Sequence, residues 1–135
     1  MNRETFQSLP QLLTLRQAAA CGYTIRTIQK YLDAEVLRAI QPSGCTQRRV
    51  RKLQLAQMLG WEDPRLRSRW QREKPLLTLG AVKEWTGYGV HQIAKIVAAG
   101  GLRAVQPGGL GRCRYAKEDV AEWLGLSHFD GGAKP

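Results

Sequence analysis

Leu37-Arg38-Ala39-Ile40-Gln41-Pro42-Ser43-Gly44 returns as Leu102-Arg103-Ala104-Val105-Gln106-Pro107-Gly108-Gly109, at an offset of 65 residues. Self-similarity at a fixed period marks a duplicated structural unit. Working outward, the same offset pairs Ile28 with Ile93, Lys30 with Lys95, Arg49 with Arg114 and Lys52 with Lys117. It continues through Ala56/Ala121, Leu59/Leu124 and Gly60/Gly125. Upstream, Leu12-Leu13-Thr14-Leu15 returns as Leu76-Leu77-Thr78-Leu79 at an offset of 64, so one residue has been gained or lost in between. The chain divides into an N-terminal tail (1–11), copy one (12–60), a connector (61–75), copy two (76–126) and a C-terminal tail (127–135).

In copy one, Thr14-Leu15-Arg16-Gln17 supplies an N-cap and a capping-box Gln. The spacing predicts a short helix through 18–20 and a turn at Gly22. Thr24 caps a second helix with Ile28, Tyr31 and Leu32 on one buried face. Residues 37–41 read as a strand, Pro42-Ser43-Gly44 as a turn, and 48–51 as the returning strand. A third helix carries Leu55, Met58 and Leu59 inward and stops at Gly60. Copy two predicts the same order, with helices over 81–85 and 90–99, a hairpin across 102–115 and a last helix over 117–124. The expected fold class is mainly α with small β-hairpin wings: tandem winged helix-turn-helix domains joined by a basic, helical connector.

Composition narrows the functional classes. The 135 residues carry 21 Lys+Arg against 11 Asp+Glu, a formal net charge of +10. A hydrophobic content of 43% suits folded cores and excludes a wholly disordered chain. No run approaches the ~18–20 apolar residues of a membrane span, and the polar start MNRETFQS lacks a signal-peptide apolar stretch. A cytoplasmic, nucleoid-associated protein with no membrane partner is expected. Excess positive charge favours anionic partners without naming one. Cys21, Cys45 and Cys113 lack the close spacings of a zinc ribbon or a disulfide framework. Together with His91 and His128 they make no metal-ligand spacing, so neither metal nor other cofactor is expected. Cys113 lies among basic residues that favour its thiolate, and a redox role is the alternative to an inert thiol. Glu118 and Asp119 are adjacent on a helix and do not face each other. Gly108-Gly109-Leu110-Gly111 lacks the Lys-Ser/Thr of a phosphate loop. No enzymatic chemistry is expected.

Both copies resemble the excisionase/MerR-type winged helix-turn-helix family. The resemblance rests on Leu13-Thr14-Leu15-Arg16-Gln17-Ala18-Ala19, Thr24-Ile25-Arg26-Thr27-Ile28-Gln29-Lys30-Tyr31-Leu32 and Leu37-Arg38-Ala39. In copy two it rests on Gly111-Arg112-Cys113-Arg114-Tyr115-Ala116-Lys117-Glu118-Asp119-Val120-Ala121-Glu122-Trp123-Leu124. It implies sequence-specific binding to double-stranded DNA, in transcription control, excision, or phage and plasmid functions.

In a helix-turn-helix, the second helix enters the major groove. That places Ile25, Arg26, Thr27, Gln29 and Lys30 of copy one, and His91, Gln92 and Lys95 of copy two, at the DNA. Arg26 suits a guanine and Gln29 an adenine, while Thr27 and Lys30 reach phosphate. Gly89 replaces the Thr24 cap in copy two, and Val90 and Ala94 read few base edges. Copy one is therefore expected to do more of the base reading, and copy two to contribute its wing or a protein contact. In the wings, Arg48, Arg49, Arg51 and Lys52, and Arg112, Arg114 and Lys117, suit phosphate or the minor groove. Strand alternation puts Arg49 and Arg51 on one side and Arg48 on the other. Gly44, Gly108, Gly109 and Gly111 let the tips turn.

In the connector, Asp63-Pro64 reads as an N-cap followed by Pro at the first helical position. Arg65, Arg67, Arg69, Arg72 and Lys74 follow, with Leu66 and Trp70 sharing one helical face. Arg65, Arg69 and Arg72 group on one side, as a helix lying along phosphates requires. For every one of these cations the competing reading is a solvated basic surface. The functional expectation is a DNA-binding protein occupying two adjacent half-sites about one helical turn (~10 bp) apart. Tethering would raise the effective concentration of the second copy. The rival is a structural adaptor that binds protein through Val90, Ala94 and Ala98 of copy two. RNA binding ranks third, because no platform of exposed aromatics is evident. Oligomeric state is left open.

Overall fold

The computed structural model describes residues 2–106 and 113–131. Gly108, Gly109, Gly111 and Arg112, assigned above to the second wing, lie outside the described residues. The chain is mainly helical with two small antiparallel sheets. Copy one runs α1 (Arg3–Gln7), β1 (Leu12–Leu13), α2 (Leu15–Ala19), α3 (Ile25–Asp33), β2 (Ala39–Ile40), β3 (Arg49–Arg51), α4 (Lys52–Leu59). The order then repeats as α5 (Leu66–Gln71), β4 (Leu76–Leu77), α6 (Leu79–Thr86), α7 (Val90–Ala98), β5 (Ala104–Val105), β6 (Arg114–Ala116), α8 (Lys117–Leu124). A last helix, α9 (Ser127–Gly131), follows.

Local chemistry sets the helix starts. The Thr14 hydroxyl accepts from the Gln17 N–H and the Gln17 side chain accepts from the Thr14 N–H, both at 3.0 Å. Thr24 accepts from Thr27 N–H at 3.1 Å and Thr78 from Ala81 N–H at 3.1 Å. Helices α4 and α8 follow their strands without a side-chain cap. Their first N–H groups are taken instead by Gln11 O (2.8 Å, from Lys52) and Pro75 O (3.0 Å, from Lys117).

Each sheet has three strands, in the orders β1-β3-β2 and β4-β6-β5. The sequence reading anticipated only hairpins. The extra strands, Leu12-Leu13 and Leu76-Leu77, are too short to show alternation and are recognisable only by their partners. Leu12 pairs with Arg51 and Ala39 with Val50 in the first sheet, Leu76 with Ala116 and Ala104 with Tyr115 in the second. Those registers superpose through the two sequence offsets.

The outer segments are also part of the repeat. Residues 1–11 carry no pattern that marks them as more than a tail, yet α1 places Phe6 at 0% exposure in the core of copy one. Its counterpart at offset 64 is Trp70 on α5, buried in the core of copy two together with Leu66. A helix of five residues does not persist alone; burying an aromatic ring contributes roughly 1.5–3 kcal/mol and holds it in place. Segment 61–75 is thus less a connector than the first helix of copy two, as the shared face of Leu66 and Trp70 foreshadows. That helix begins at Leu66, later than Asp63-Pro64 indicated; Asp63 accepts from the Arg65 N–H at 2.9 Å. The C-terminal tail likewise contains α9, whose Phe129 packs on the core of copy two. Met58, expected inward, is 40% exposed.

The change of offset falls between the first residues of α2 and α6 (Leu15, Leu79) and the helices α3 and α7, and α6 absorbs it as a longer helix than α2. Trp85, near its end, stacks edge-on against Trp70 at 5.0 Å and donates to Glu73 at 3.2 Å.

Helix α3 ends on Glu35 with φ +59°, whereas its counterpart after α7 is Gly100 at φ +81°. A left-handed backbone costs an L side chain about 1 kcal/mol that glycine avoids. Replacing Glu35→Gly is expected to raise stability by about 1 kcal/mol, and Gly100→Ala, which meets no atom within 4 Å, to lower it by a similar amount. Urea midpoints of the two variants moving in the same direction would contradict this account.

Candidate nucleic-acid interface

Helix α3 packs on α2 and points Ile28 into the core. This leaves Ile25, Arg26, Gln29 and Lys30 exposed on its outer face. Among the described residues, Arg26, Gln29 and Lys30 have no side-chain hydrogen bond or ion pair. Thr27 is half-buried, and its hydroxyl lies 3.0 Å from that of Thr24, so it serves the helix cap and is withdrawn from phosphate. On α7, Ile93 and Ile96 face inward while Val90, His91, Ala94 and Lys95 are exposed. Gln92 turns back to accept from the Gly89 N–H at 3.1 Å, which commits its carbonyl to a cap that Gly89 cannot supply itself.

Among the described residues, the cations assigned to the wings are mostly buried or half-buried. Arg49 is 7% exposed, with its guanidinium 4.9 Å from the centre of the Tyr88 ring. Arg51 donates from Nε to Trp123 O at 2.9 Å and from Nη2 to Glu122 O at 2.7 Å. As strand alternation predicts, Arg49 and Arg51 share a face, but that face is covered by copy two. The hairpin tip is seated there as well: a Cβ added at Gly44 would come within 2.5 Å of Lys95 O. Lys52 is 3% exposed, donating to Gln7 O at 2.8 Å and Leu9 O at 2.9 Å with Phe6 beneath it. Lys117 is 8% exposed and lies over Trp70 at 5.0 Å. Arg49, Arg51, Lys52 and Lys117 are therefore withdrawn from the wing contacts assigned to them. Each is held by carbonyls or aromatic rings of the protein itself. Arg114 is half-buried and donates to Cys113 O at 3.3 Å. Arg48 is exposed and has no hydrogen bond or ion pair among the described residues.

The cations of segment 61–75 divide similarly. Arg69 is paired with Asp63 at 3.0 Å and lies over Trp85 at 5.1 Å; Arg67 lies over Phe129 at 5.6 Å. The three-arginine face expected along phosphate thus loses its central member to an ion pair. Arg65, Arg72 and Lys74 have exposed side chains with no hydrogen bond or ion pair among the described residues.

One candidate was not singled out from the sequence. Arg38 is exposed, and its N–H donates to the Gln54 side chain at 2.9 Å. Its counterpart Arg103 makes the same backbone contact to Asp119 at 3.0 Å, but its guanidinium is also paired with Asp119 and Glu118. Those ion pairs raise the Arg103 pKa; burial pushes the Asp119 carboxyl up, but the hydrogen bonds and charge of Arg103 together hold it below the usual range. Copy one has Leu53-Gln54 where copy two has Glu118-Asp119, so among the described residues Arg38 has no such ion pair. Aligning the copies at those positions reveals this. Arg38 also lines, with Glu35, Arg51 and Gln54, a cleft of about 620 Å³ on copy one that Gly125 of copy two borders at one edge. No family model, curated protein or solved structure matches the chain. Among the described residues no helix is long and apolar enough to cross a membrane.

Burial is the main cause bringing the Lys52 amine down from 10.5 to about 8; Asp63 opposes the shift and Arg69 adds to it. Between those values the unfolded chain binds a proton that the folded chain does not. Stability from this group therefore increases as pH rises from about 8 toward 10.5, and gains nothing below 8. Lys52→Met is expected to remove that increase, so the urea midpoint of the wild type should gain on the variant across this range. A constant difference would show that Lys52 titrates like an exposed lysine.

Proposed function

We propose that the chain is a sequence-specific double-stranded DNA-binding protein built from two winged helix-turn-helix units on adjacent half-sites. It would act as a transcriptional regulator or as an excisionase-like architectural factor of a phage or plasmid. The observation that carries this reading is the outer face of α3, where Arg26, Gln29 and Lys30 are exposed and unpaired behind a capped helix start. An unpaired guanidinium and a carboxamide near a helix N-terminus match the bidentate edges of guanine and adenine. Arg38, Arg48, Arg65, Arg72 and Lys74 are exposed cations that can release counterions from phosphate. The contacts between the copies, Arg51 on Glu122 and Trp123 among them, would fix the half-site spacing.

A second reading, the protein-binding adaptor, has its own support. Val90, Ala94 and Ala98 remain exposed along α7. An apolar helix face of this kind suits a protein better than base edges.

Selection from a random duplex pool, with winners retested by anisotropy across a salt series, separates the two. The DNA reading expects a bipartite consensus. Arg26→Ala should then lose about 1–3 kcal/mol on the selected site and relax one base position; equal loss on random duplex would remove Arg26 from base reading. Replacing both Arg72 and Lys74 with alanine should flatten the salt dependence by about two units on any duplex. Arg49→Ala, by contrast, should lower the melting temperature and leave the salt slope unchanged. Binding without consensus that vanishes at physiological salt would favour the adaptor.

A further inference from the structure

Among the described residues, the exposed large apolar side chains are Ile25, Val36, Met58, Leu76, Val90 and Val105. Ile25 and Val90 are counterparts on α3 and α7. The other four have counterparts at the contact between the copies. Copy two has Gly101 and Trp123 where copy one has Val36 and Met58. Gly101 lies against Ser43, and Trp123 is 9% exposed with its carbonyl accepting from Arg51. Conversely, copy one has Leu12 and Ile40 where copy two has Leu76 and Val105. Leu12 is fully buried in the core cluster of copy two, and Ile40 is half-buried against it.

Each copy therefore carries two surfaces, a sheet face and a receiving face. The contact inside the chain joins the sheet face of copy one to the receiving face of copy two. Such a heterologous contact leaves one surface of each kind unused. The chain ends in an open receiving face on copy one (Val36, Met58) and an open sheet face on copy two (Leu76, Val105). The cation–ring pair is duplicated too. Arg49 lies over Tyr88 inside the chain, and its counterpart Arg114 stands on the open sheet face while Tyr23, counterpart of Tyr88, stands on the open receiving face.

We propose that a second copy of this chain docks there: the sheet face of copy two seats on copy one of the next molecule, giving open-ended, head-to-tail assembly. The inference stands independently of what the chain binds. Two differences make the contact between chains looser than the one inside. Ala116 replaces the Arg51 clamp, and Val36 replaces the glycine that admits the hairpin tip. Association is accordingly expected at high protein concentration.

Sedimentation of the full chain, from micromolar to near-millimolar, tests this without DNA. The average mass of the wild type should rise continuously past that of a dimer. Leu76→Asp and Met58→Asp should each associate at least tenfold more weakly alone, with unchanged melting temperatures because both side chains are exposed. Mixed in equal amounts, they should form a species that stops at two chains, since each supplies the face the other lacks. Val105→Asp replaces Leu76→Asp if the latter melts early. A wild type that stays monomeric, a closed dimer that Leu76→Asp leaves intact, or a mixture that stays monomeric overturns the proposal.

Discussion

Arg51 reaches from the sheet of copy one to the last turn of α8, where helix carbonyls lack the i+4 donors of the helix interior, and bonds two of them, Trp123 O and Glu122 O, the latter shared with a long contact from the Gly125 N–H. A guanidinium is suited to that place: it supplies several donors at once and its charge opposes the negative end of the helix dipole. Two residues earlier on the same strand face, Arg49 lies over Tyr88. Removing either arginine would leave polar groups or an aromatic ring of copy two facing emptied space. The arrangement of the copies depends on this pair, because the chain between them is itself folded into copy two.

The docking has a local cost that the surroundings offset. Arg49 Nε is buried without a hydrogen-bond partner, and the Tyr88 hydroxyl has none but the neighbouring Cys45 thiol, with burial raising the tyrosine pKa. Buried polar groups left without good partners cost of the order of 1–3 kcal/mol each. Leu12, fully buried in the other copy's core, and the close seat of Gly44 on α7 supply compensating contact. The same docking sorts the basic residues. A +10 chain is not uniformly basic at its surface, because several cations are spent inside the protein. Lysines 52 and 117 show this most clearly, each fixed over the aromatic ring of its copy's first helix.

Divergence between the copies follows their roles in this contact. Where copy two receives the hairpin it has Gly101, and where copy one meets nothing it has Val36. Where copy one clamps α8 it has Arg51, and copy two has Ala116. Acid placement diverges as well: Glu118 and Asp119 neutralise Arg103, while Leu53 and Gln54 leave Arg38 charged. Unpaired positive charge is thereby kept on copy one, the copy whose α3 carries Arg26, Gln29 and Lys30.

Much of each copy was legible in the sequence, because short-range chemistry decides it. The Thr14–Gln17 capping box, the Thr24 cap, the glycine ends at Gly60 and Gly125, and the hairpin positions depend on neighbours a few residues away. The outward placement of Arg26, Gln29 and Lys30 follows from helical periodicity once Ile28 is assigned inward. The strands at Leu12-Leu13 and Leu76-Leu77 and the kinship of Phe6 with Trp70 were not legible, since two-residue strands and single aromatic positions carry no periodic signal. Above all, sequence fixes that Arg49 and Arg51 share a face but not what that face meets. A basic strand looks the same whether it will lie against phosphate or against a tyrosine ring and a helix end. Only tertiary packing, through desolvation and the carbonyls it brings within reach, decided between solvent and protein for those charges.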